Sequence, residues 1–82
     1  MARTYNDLYL DTRQRLRKAG IESAQLEARE LICYATGKSL DDLIRDSRLY
    51  APRPVEQKLE SLLSRRLEGE PVAYILGEWN FY

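Results

Sequence analysis

The stretch that decides the fold is residues 55–69, VEQKLESLLSRRLEG. Its apolar side chains recur three and four positions apart, which is the spacing of one face of an α-helix. Gly69 follows at the position where a helix commonly closes. We therefore predict a helix over about residues 55–68 that buries an apolar stripe. The stripe comprises Val55, Leu59, Leu62 and Leu63, followed by Arg66 or Leu67.

Three apolar patterns precede this stretch and predict three more helices, over about residues 4–19, 23–36 and 39–46. Each of them begins at a hydroxyl residue that can accept a hydrogen bond from the first turn: Thr4, Ser23 and Ser39. Thr4 also has Asp7 three positions on, which predicts a capping box. The residues predicted to be buried on the first two helices are Leu8, Thr12, Leu16 and Ala19, and Ala24, Ala28, Leu31, Ile32 and Ala35.

After the long helix the chain changes character twice. Pro71 favours the first turn of a short fifth helix over residues 72–76, which Gly77 stops. The tail, EWNFY at residues 78–82, is aromatic and partly alternating, as is typical of a strand, and its partner strand is missing. We predict an all-α domain, a small bundle of about five helices in residues 1–77, with a truncated β-strand or linker at its C-terminal end. An unpaired aromatic strand suggests a piece of a longer protein.

Composition restricts the chemistry that these residues can perform. The chain has 82 residues, 13 basic and 13 acidic side chains, one cysteine and no histidine. A single thiol, Cys33, excludes an internal disulfide, and we expect it to be a small buried hydrophobic residue. The lack of histidine removes the usual Cys/His zinc sites and the commonest general base. The four glycines are too far apart to form a phosphate-binding loop.

Charge and hydropathy predict where the protein works. Balanced charge disfavours direct binding to nucleic acid, which rests on clustered Lys and Arg. Apolar runs are only a few residues long, far short of the ~20 that span a bilayer. The first residues also lack the apolar core of a signal peptide. We therefore expect a cytoplasmic protein with no membrane contact.

Residues 65–82, RRLEGEPVAYILGEWNFY, resemble the segment that joins the two domains of HemK/PrmC-type release-factor glutamine methyltransferases. Those proteins carry an Arg-Arg pair, then Gly-Glu-Pro, then an Ala-Tyr-Ile-Leu-Gly run that ends in an acidic-aromatic pair. The earlier residues are similar as well, with Glu27 beside Ala28 in a leucine-rich helix closed by Thr36-Gly37-Lys38. The resemblance covers nearly the whole chain, and residues 65–82 are its specific part.

The resemblance implies that residues 1–77 are the N-terminal helical domain of such an enzyme and that residues 78–82 begin an interdomain β-hairpin. A Rossmann-like methyltransferase domain would follow, with an Asn-Pro-Pro-Tyr motif and a glycine-rich loop for S-adenosylmethionine. Neither motif occurs in these 82 residues, so the fragment alone is expected to bind no cofactor and to be inactive. The implied reaction methylates the glutamine of the Gly-Gly-Gln motif in class I peptide-chain release factors.

Six residues are the candidates for contact with the release factor or with the following domain. They are Arg65, Arg66, Tyr74, Trp79, Phe81 and Tyr82. The last three either dock on the methyltransferase domain or cap the core of the bundle itself. The two arginines either contact an acidic surface of the substrate, brace the hinge between domains, or lie at a solvated helix end. Tyr74 either packs under the hinge or reaches the substrate.

Two functions are open at this point. The resemblance implies that the chain recognises and positions a release factor for the methyltransferase domain, and the alternative is a free-standing helical interaction module without enzymatic activity. A small helical nucleic-acid binder is a third alternative, which the charge balance disfavours.

Overall fold

The computed structural model describes residues 3–77, which form five α-helices in a single bundle. The helices are α1 (Tyr5–Lys18), α2 (Ala24–Thr36), α3 (Leu40–Arg45), α4 (Arg53–Leu67) and α5 (Val72–Gly77). The prediction of an all-α bundle of about five helices is therefore confirmed. The predicted strand at residues 78–82 lies outside the described residues, and so do Trp79, Phe81 and Tyr82.

Helix α2 is the centre of the bundle, because it packs against each of the other four helices. Its inward face mixes small and large side chains, and each of them is less than a tenth exposed. These residues are Ala24, Ala28, Leu31, Ile32 and Ala35, as the sequence predicted. Alanine on this face lets a neighbouring helix approach closely, and leucine and isoleucine fill the space between the helices.

The neighbouring helices complete the core with one buried stripe each. The buried residues of α1, α4 and α5 are Tyr5, Leu8, Thr12 and Leu16, then Leu59, Leu62 and Leu63, then Val72 and Ile75. The prediction for α1 was wrong at one end, because Ala19 is exposed. Ala19 is the C-cap residue, where the chain leaves the helix, so the helical spacing no longer directs its side chain inward. At the other end Tyr5 is buried, which the sequence did not indicate.

The loop between α3 and α4, residues 46–52, closes over the start of α1. The N–H groups of Tyr5 and Asn6, which have no acceptor inside the helix, donate to two carbonyl oxygens of this loop at 3.0 and 3.1 Å. Thr4 and Asp7 form the predicted capping box, in which each side chain accepts from the other residue's N–H at 3.1 Å. Each N–H group in the first turn of α1 therefore has a hydrogen-bond acceptor, and the loop is held against this turn.

The two predicted serine caps behave differently. Ser39 accepts a hydrogen bond from the N–H of Asp42 at 3.2 Å, as predicted. Ser23 occupies the N-cap position of α2 but makes no capping bond, and its hydroxyl donates to Glu27 at 3.0 Å. The cause is the backbone, since Ser39 has the extended ψ of 167° that aims the hydroxyl at the first turn, whereas Ser23 has a ψ of 35°.

Two helix boundaries differ from the prediction by one or two residues. Helix α4 begins at Arg53 rather than Val55, because Pro54 fits within the first turn, where its missing N–H is not needed. Gly77 was predicted to stop the fifth helix and is instead its last residue.

Charged side chains link α1 to α4 along one edge of the bundle. Arg15 donates two hydrogen bonds to the carboxylate of Glu60, both at 2.8 Å. Arg3 donates to Glu56 at 3.0 Å. Asp11 lies 3.6 Å from Arg3 and from Arg15, so it connects the two pairs. The nearest acidic partner of Arg15 therefore belongs to the distant helix α4 rather than to its own helix.

Candidate protein-interaction surface

The predicted contact residues that the structure describes lie together at one corner of the bundle. Arg65 and Arg66 end α4, and Tyr74 lies on α5, which follows after a short turn. We call residues 65–74 the α4–α5 corner. The structure thus brings together three residues that the sequence had placed in two separate helices.

A tight turn shapes this corner. The N–H groups of Gly69 and Glu70 donate back to the carbonyls of Arg66 and Arg65, at 3.0 and 3.2 Å. This double hydrogen bond is the Schellman motif, which closes a helix by passing one residue through the left-handed conformation. Gly69 has a φ of 113°, which a residue with a side chain adopts only at a cost. Glycine at this position therefore sets the direction in which α5 leaves α4.

Arg65 forms an ion pair across the turn. Its Nε and Nη2 both donate to Oε1 of Glu70, at 3.0 and 2.8 Å. The side chains of Arg65 and Glu70 are 25% and 34% exposed, so the pair is partly shielded from water. The pair holds the beginning of α5 against the end of α4.

Arg66 forms a second ion pair, which joins α4 to the beginning of α2. Its Nε donates to Oε1 of Glu27 at 2.7 Å, and its Nη2 lies 3.4 Å from Oε2. The same guanidinium reaches the carbonyl of Glu70 at 3.4 Å. Arg66 therefore braces three segments of the bundle. Its direct contact with a substrate, like that of Arg65, stays a prediction.

Tyr74 points away from the core. Its neighbours Val72 and Ile75 are buried and anchor α5, whereas Tyr74 is 58% exposed. The aromatic ring lies four residues before the segment 78–82 in the chain. Tyr74 is therefore available for contact with a partner.

The structure contains a second surface that sequence reasoning missed. A groove of about 170 Å³ lies between α1, α2 and α3. Its lining residues are Asn6, Tyr9, Arg29, Ile32, Leu40, Leu43, Ile44 and Ser47. We call it the α3 groove. Its signal in the sequence was the apolar face of α3, on which only Leu43 is buried, while Leu40 and Ile44 are 40% and 66% exposed.

Neither acid–base nor metal chemistry is evident in the described part of the chain. Residues 3–77 contain no group of three or more His, Cys, Asp and Glu side chains that could hold a metal ion. Cys33 packs at the edge of the core, where burial and, secondarily, the charge of Glu30 raise the pKa of its thiol. A raised pKa reduces the thiolate fraction and hence the nucleophilicity of Cys33. Within the same residues no helix is long and apolar enough to cross a membrane.

The α3 groove does not fit S-adenosylmethionine. It is lined by aliphatic side chains, one tyrosine, one arginine and two neutral polar residues, and no carboxylate is present to hold the hydroxyls of a ribose. The chemistry of this groove instead suits an apolar surface that carries negative charge.

Comparison with known proteins identifies the class. The chain is 41% identical over 66 residues to a release factor glutamine methyltransferase from Haemophilus influenzae, a match that covers 80% of this chain and 23% of that protein. It is 38% identical over 69 residues to the protein of the same name from Vibrio cholerae, covering 84% of this chain and 24% of that protein. A bifunctional methyltransferase from Rickettsia felis is 41% identical over 68 residues, or 83% and 13% of the two chains. No solved structure matches significantly.

All three relatives are methyltransferases by name, and this chain spans a quarter of their length or less. The model of the PrmC N-terminal domain matches residues 7–77, which include all five helices except the first two residues of α1. The chain therefore belongs to the PrmC N-terminal domain family. The resemblance in residues 65–82 and in the leucine-rich helix is confirmed at the level of the family.

Proposed function

We propose that residues 1–77 are the substrate-positioning domain of a protein-glutamine methyltransferase that uses S-adenosylmethionine. The substrate is a class I peptide-chain release factor, methylated at the glutamine of its Gly-Gly-Gln motif. The domain is not catalytic by itself. It works in the cytoplasm and binds two partners, the release factor and its own C-terminal methyltransferase domain.

The observation that carries this proposal is the match of residues 7–77 to the PrmC N-terminal domain. The names of two relatives, which are release factor glutamine methyltransferases, supply the reaction and the substrate. Exposed Tyr74, which precedes the aromatic segment 78–82 by four residues in the chain, supports contact with a methyltransferase domain.

A domain without catalytic groups can still raise the rate of a methyl transfer. Contact with a part of the release factor remote from the glutamine restricts how the substrate lies on the enzyme. The glutamine is then held in the right orientation near the methyl donor instead of reaching it by chance. The rigid α4–α5 corner transmits this orientation, because Arg65 and Arg66 tie α5 to α4 and α2. Such remote binding energy acts on a large substrate and has no effect on a short peptide.

The test compares the whole methyltransferase with a variant that lacks residues 1–77. Methyl transfer is measured with two substrates, an intact class I release factor and a short peptide that contains Gly-Gly-Gln. We expect the deletion to lower kcat/KM for the intact factor by about tenfold or more, which is the scale of remote positioning effects. Methylation of the peptide should not change.

The peptide serves as the control for folding, because a catalytic domain damaged by the deletion would lose activity on both substrates. Equal kcat/KM for the intact factor with and without residues 1–77 would contradict the proposal. Such a result would favour an interaction module with no part in the methylation.

A further inference from the structure

The α3 groove is an apolar feature of the described surface that no helix of the bundle covers. Ile32 and Leu43 form its floor and are 1% and 7% exposed, whereas Leu40 and Ile44 form one wall and are 40% and 66% exposed. Leu40 and Ile44 are four residues apart and therefore adjacent on α3. Grooves of this kind receive the apolar face of an amphipathic segment.

The lining of the groove includes one cationic side chain. Arg29 of α2 lines the groove and makes neither a hydrogen bond nor an ion pair with any of residues 3–77. Tyr9 of α1 lies beside it, and the guanidinium of Arg13 stacks over the Tyr9 ring at 5.5 Å from the centroid. By contrast, Arg15 of α1 and both Arg65 and Arg66 of α4 are paired with acidic side chains. An unpaired cation beside exposed aliphatic side chains matches a ligand that combines apolar groups with a carboxylate.

The groove also lies apart from the α4–α5 corner. Arg29 is two residues beyond Glu27 on α2, which places the two side chains about 200° apart around the helix axis. Glu27 holds Arg66 on the side of the corner, and Arg29 faces the groove on the other side. In the proposed function the methyltransferase domain follows α5, which begins at the corner. The α3 groove is therefore left for a different protein.

We infer that the α3 groove binds an acidic amphipathic segment of the release factor, with aliphatic side chains against Leu40 and Ile44 and a carboxylate against Arg29. This inference rests on the proposed function, and it adds the surface and the chemistry of the segment. It assigns substrate contact to residues other than Arg65 and Arg66, whose guanidinium groups are engaged within the domain.

The experiment titrates a purified, fluorescently labelled class I release factor with the 82-residue chain and follows fluorescence anisotropy. Two variants change the groove, Arg29→Glu and Ile44→Ser. Two matched controls change similar residues outside it: Arg17→Glu, an exposed arginine of α1, and Leu26→Ser, a leucine of α2 that is 56% exposed. Far-UV circular dichroism confirms that all four variants are folded, as expected for substitutions of side chains outside the core.

We expect each groove variant to raise the dissociation constant by about tenfold or more, and each control by less than about twofold, because few residues of an interface carry most of its affinity. Equal affinity of the four variants would overturn the inference while leaving the proposed function intact. Absence of binding by the unmodified chain would overturn the inference as well, and the proposed function would still be decided by the methylation kinetics. A monomer–dimer equilibrium that only the groove variants abolish would show that the groove binds a second copy and would also overturn it.

Discussion

Arg66 at the end of α4 and Glu27 at the start of α2 are joined by a hydrogen bond of 2.7 Å between Nε and Oε1. The two residues are 39 positions apart in the chain, and their side chains are only 19% and 14% exposed. Both belong to the segments in which the sequence resembles its family. The contact therefore connects two motifs whose relation the sequence did not show, and it gives the arginine a structural role that is independent of any partner.

Removal of Arg66 should destabilise the bundle. Arg66→Ala leaves Glu27 partly buried without its cation, so we expect a loss of about 2 kcal/mol in the free energy of unfolding. In the double variant Arg66→Ala, Glu27→Ala the coupling energy should be about 1 kcal/mol or more. Urea unfolding measures both quantities. Arg17→Ala is the matched control, and a coupling energy of zero would show that the pair contributes nothing to stability.

The ion pair between Arg15 and Glu60 predicts a dependence of stability on pH. The two hydrogen bonds from Arg15 hold the pKa of Glu60 below its usual range. The pair therefore stabilises the fold fully above the unfolded-state pKa of about 4.3, and this contribution is lost as the pH falls through the lower pKa of the folded state. Because the Glu60 side chain is 49% exposed, the effect should stay below about 1 kcal/mol.

The measurement compares Glu60→Gln with the unmodified chain by urea unfolding at about pH 7 and about pH 3. The variant should be less stable at the higher pH, and the difference should shrink at the lower pH. Glu22→Gln, which changes an exposed glutamate, should show no such change with pH. If the two proteins differed in free energy of unfolding by the same amount at both pH values, the carboxylate of Glu60 would be ruled out as the origin of the difference.

The two N-cap residues Thr4 and Ser23 should differ in their contribution to stability. Thr4→Ala removes the capping box at the start of α1 and should cost about 1 kcal/mol. Ser23→Ala removes no capping hydrogen bond and should cost less than about half of that. Thermal or urea unfolding of the two variants decides the matter. Equal losses would mean that Ser23 caps α2 in solution.

Substitution of two adjacent residues of α5 should affect stability differently, because one packs in the core and the other is exposed. Ile75 is fully buried, so Ile75→Ala should cost about 2–4 kcal/mol through the lost contacts and the cavity left behind. Tyr74 is 58% exposed, so Tyr74→Ala should change stability by no more than about 0.5 kcal/mol. Urea unfolding measures both. A small loss for the Ile75 variant would mean that α5 is not part of the core.

Much of the fold was predictable because it depends on local chemistry. Helical spacing identified the first four helices, Pro71 and Gly77 indicated the fifth, and the buried face of α2 was predicted residue by residue. The errors have two kinds of cause, a neighbour distant in the chain or a backbone conformation that the residue type does not fix. Tyr5 is buried since the α3–α4 loop covers it, and Ser23 lacks its cap since its backbone takes another angle.

The candidate surface was predictable only in part. The motif in residues 65–82 indicated Arg65, Arg66 and Tyr74, and the structure places the three at one corner. Their partners were not predictable, because Glu27 and Arg66 are brought together by the packing of α2 on α4. The α3 groove was missed for the same reason, since it exists only where three helices meet.

The sequence by itself determined the number of helices and most of the apolar face of the longer ones, because these follow from residue types at short spacing. The motif in residues 65–82 indicated the family by resemblance. Only the tertiary structure decided which charges are paired and which apolar residues stay uncovered. Arg66 and Arg29 are the same residue type on neighbouring helices, yet one is held by Glu27 and the other faces an open groove. The difference arises from how the helices pack, and helix packing brings together residues that no local pattern relates.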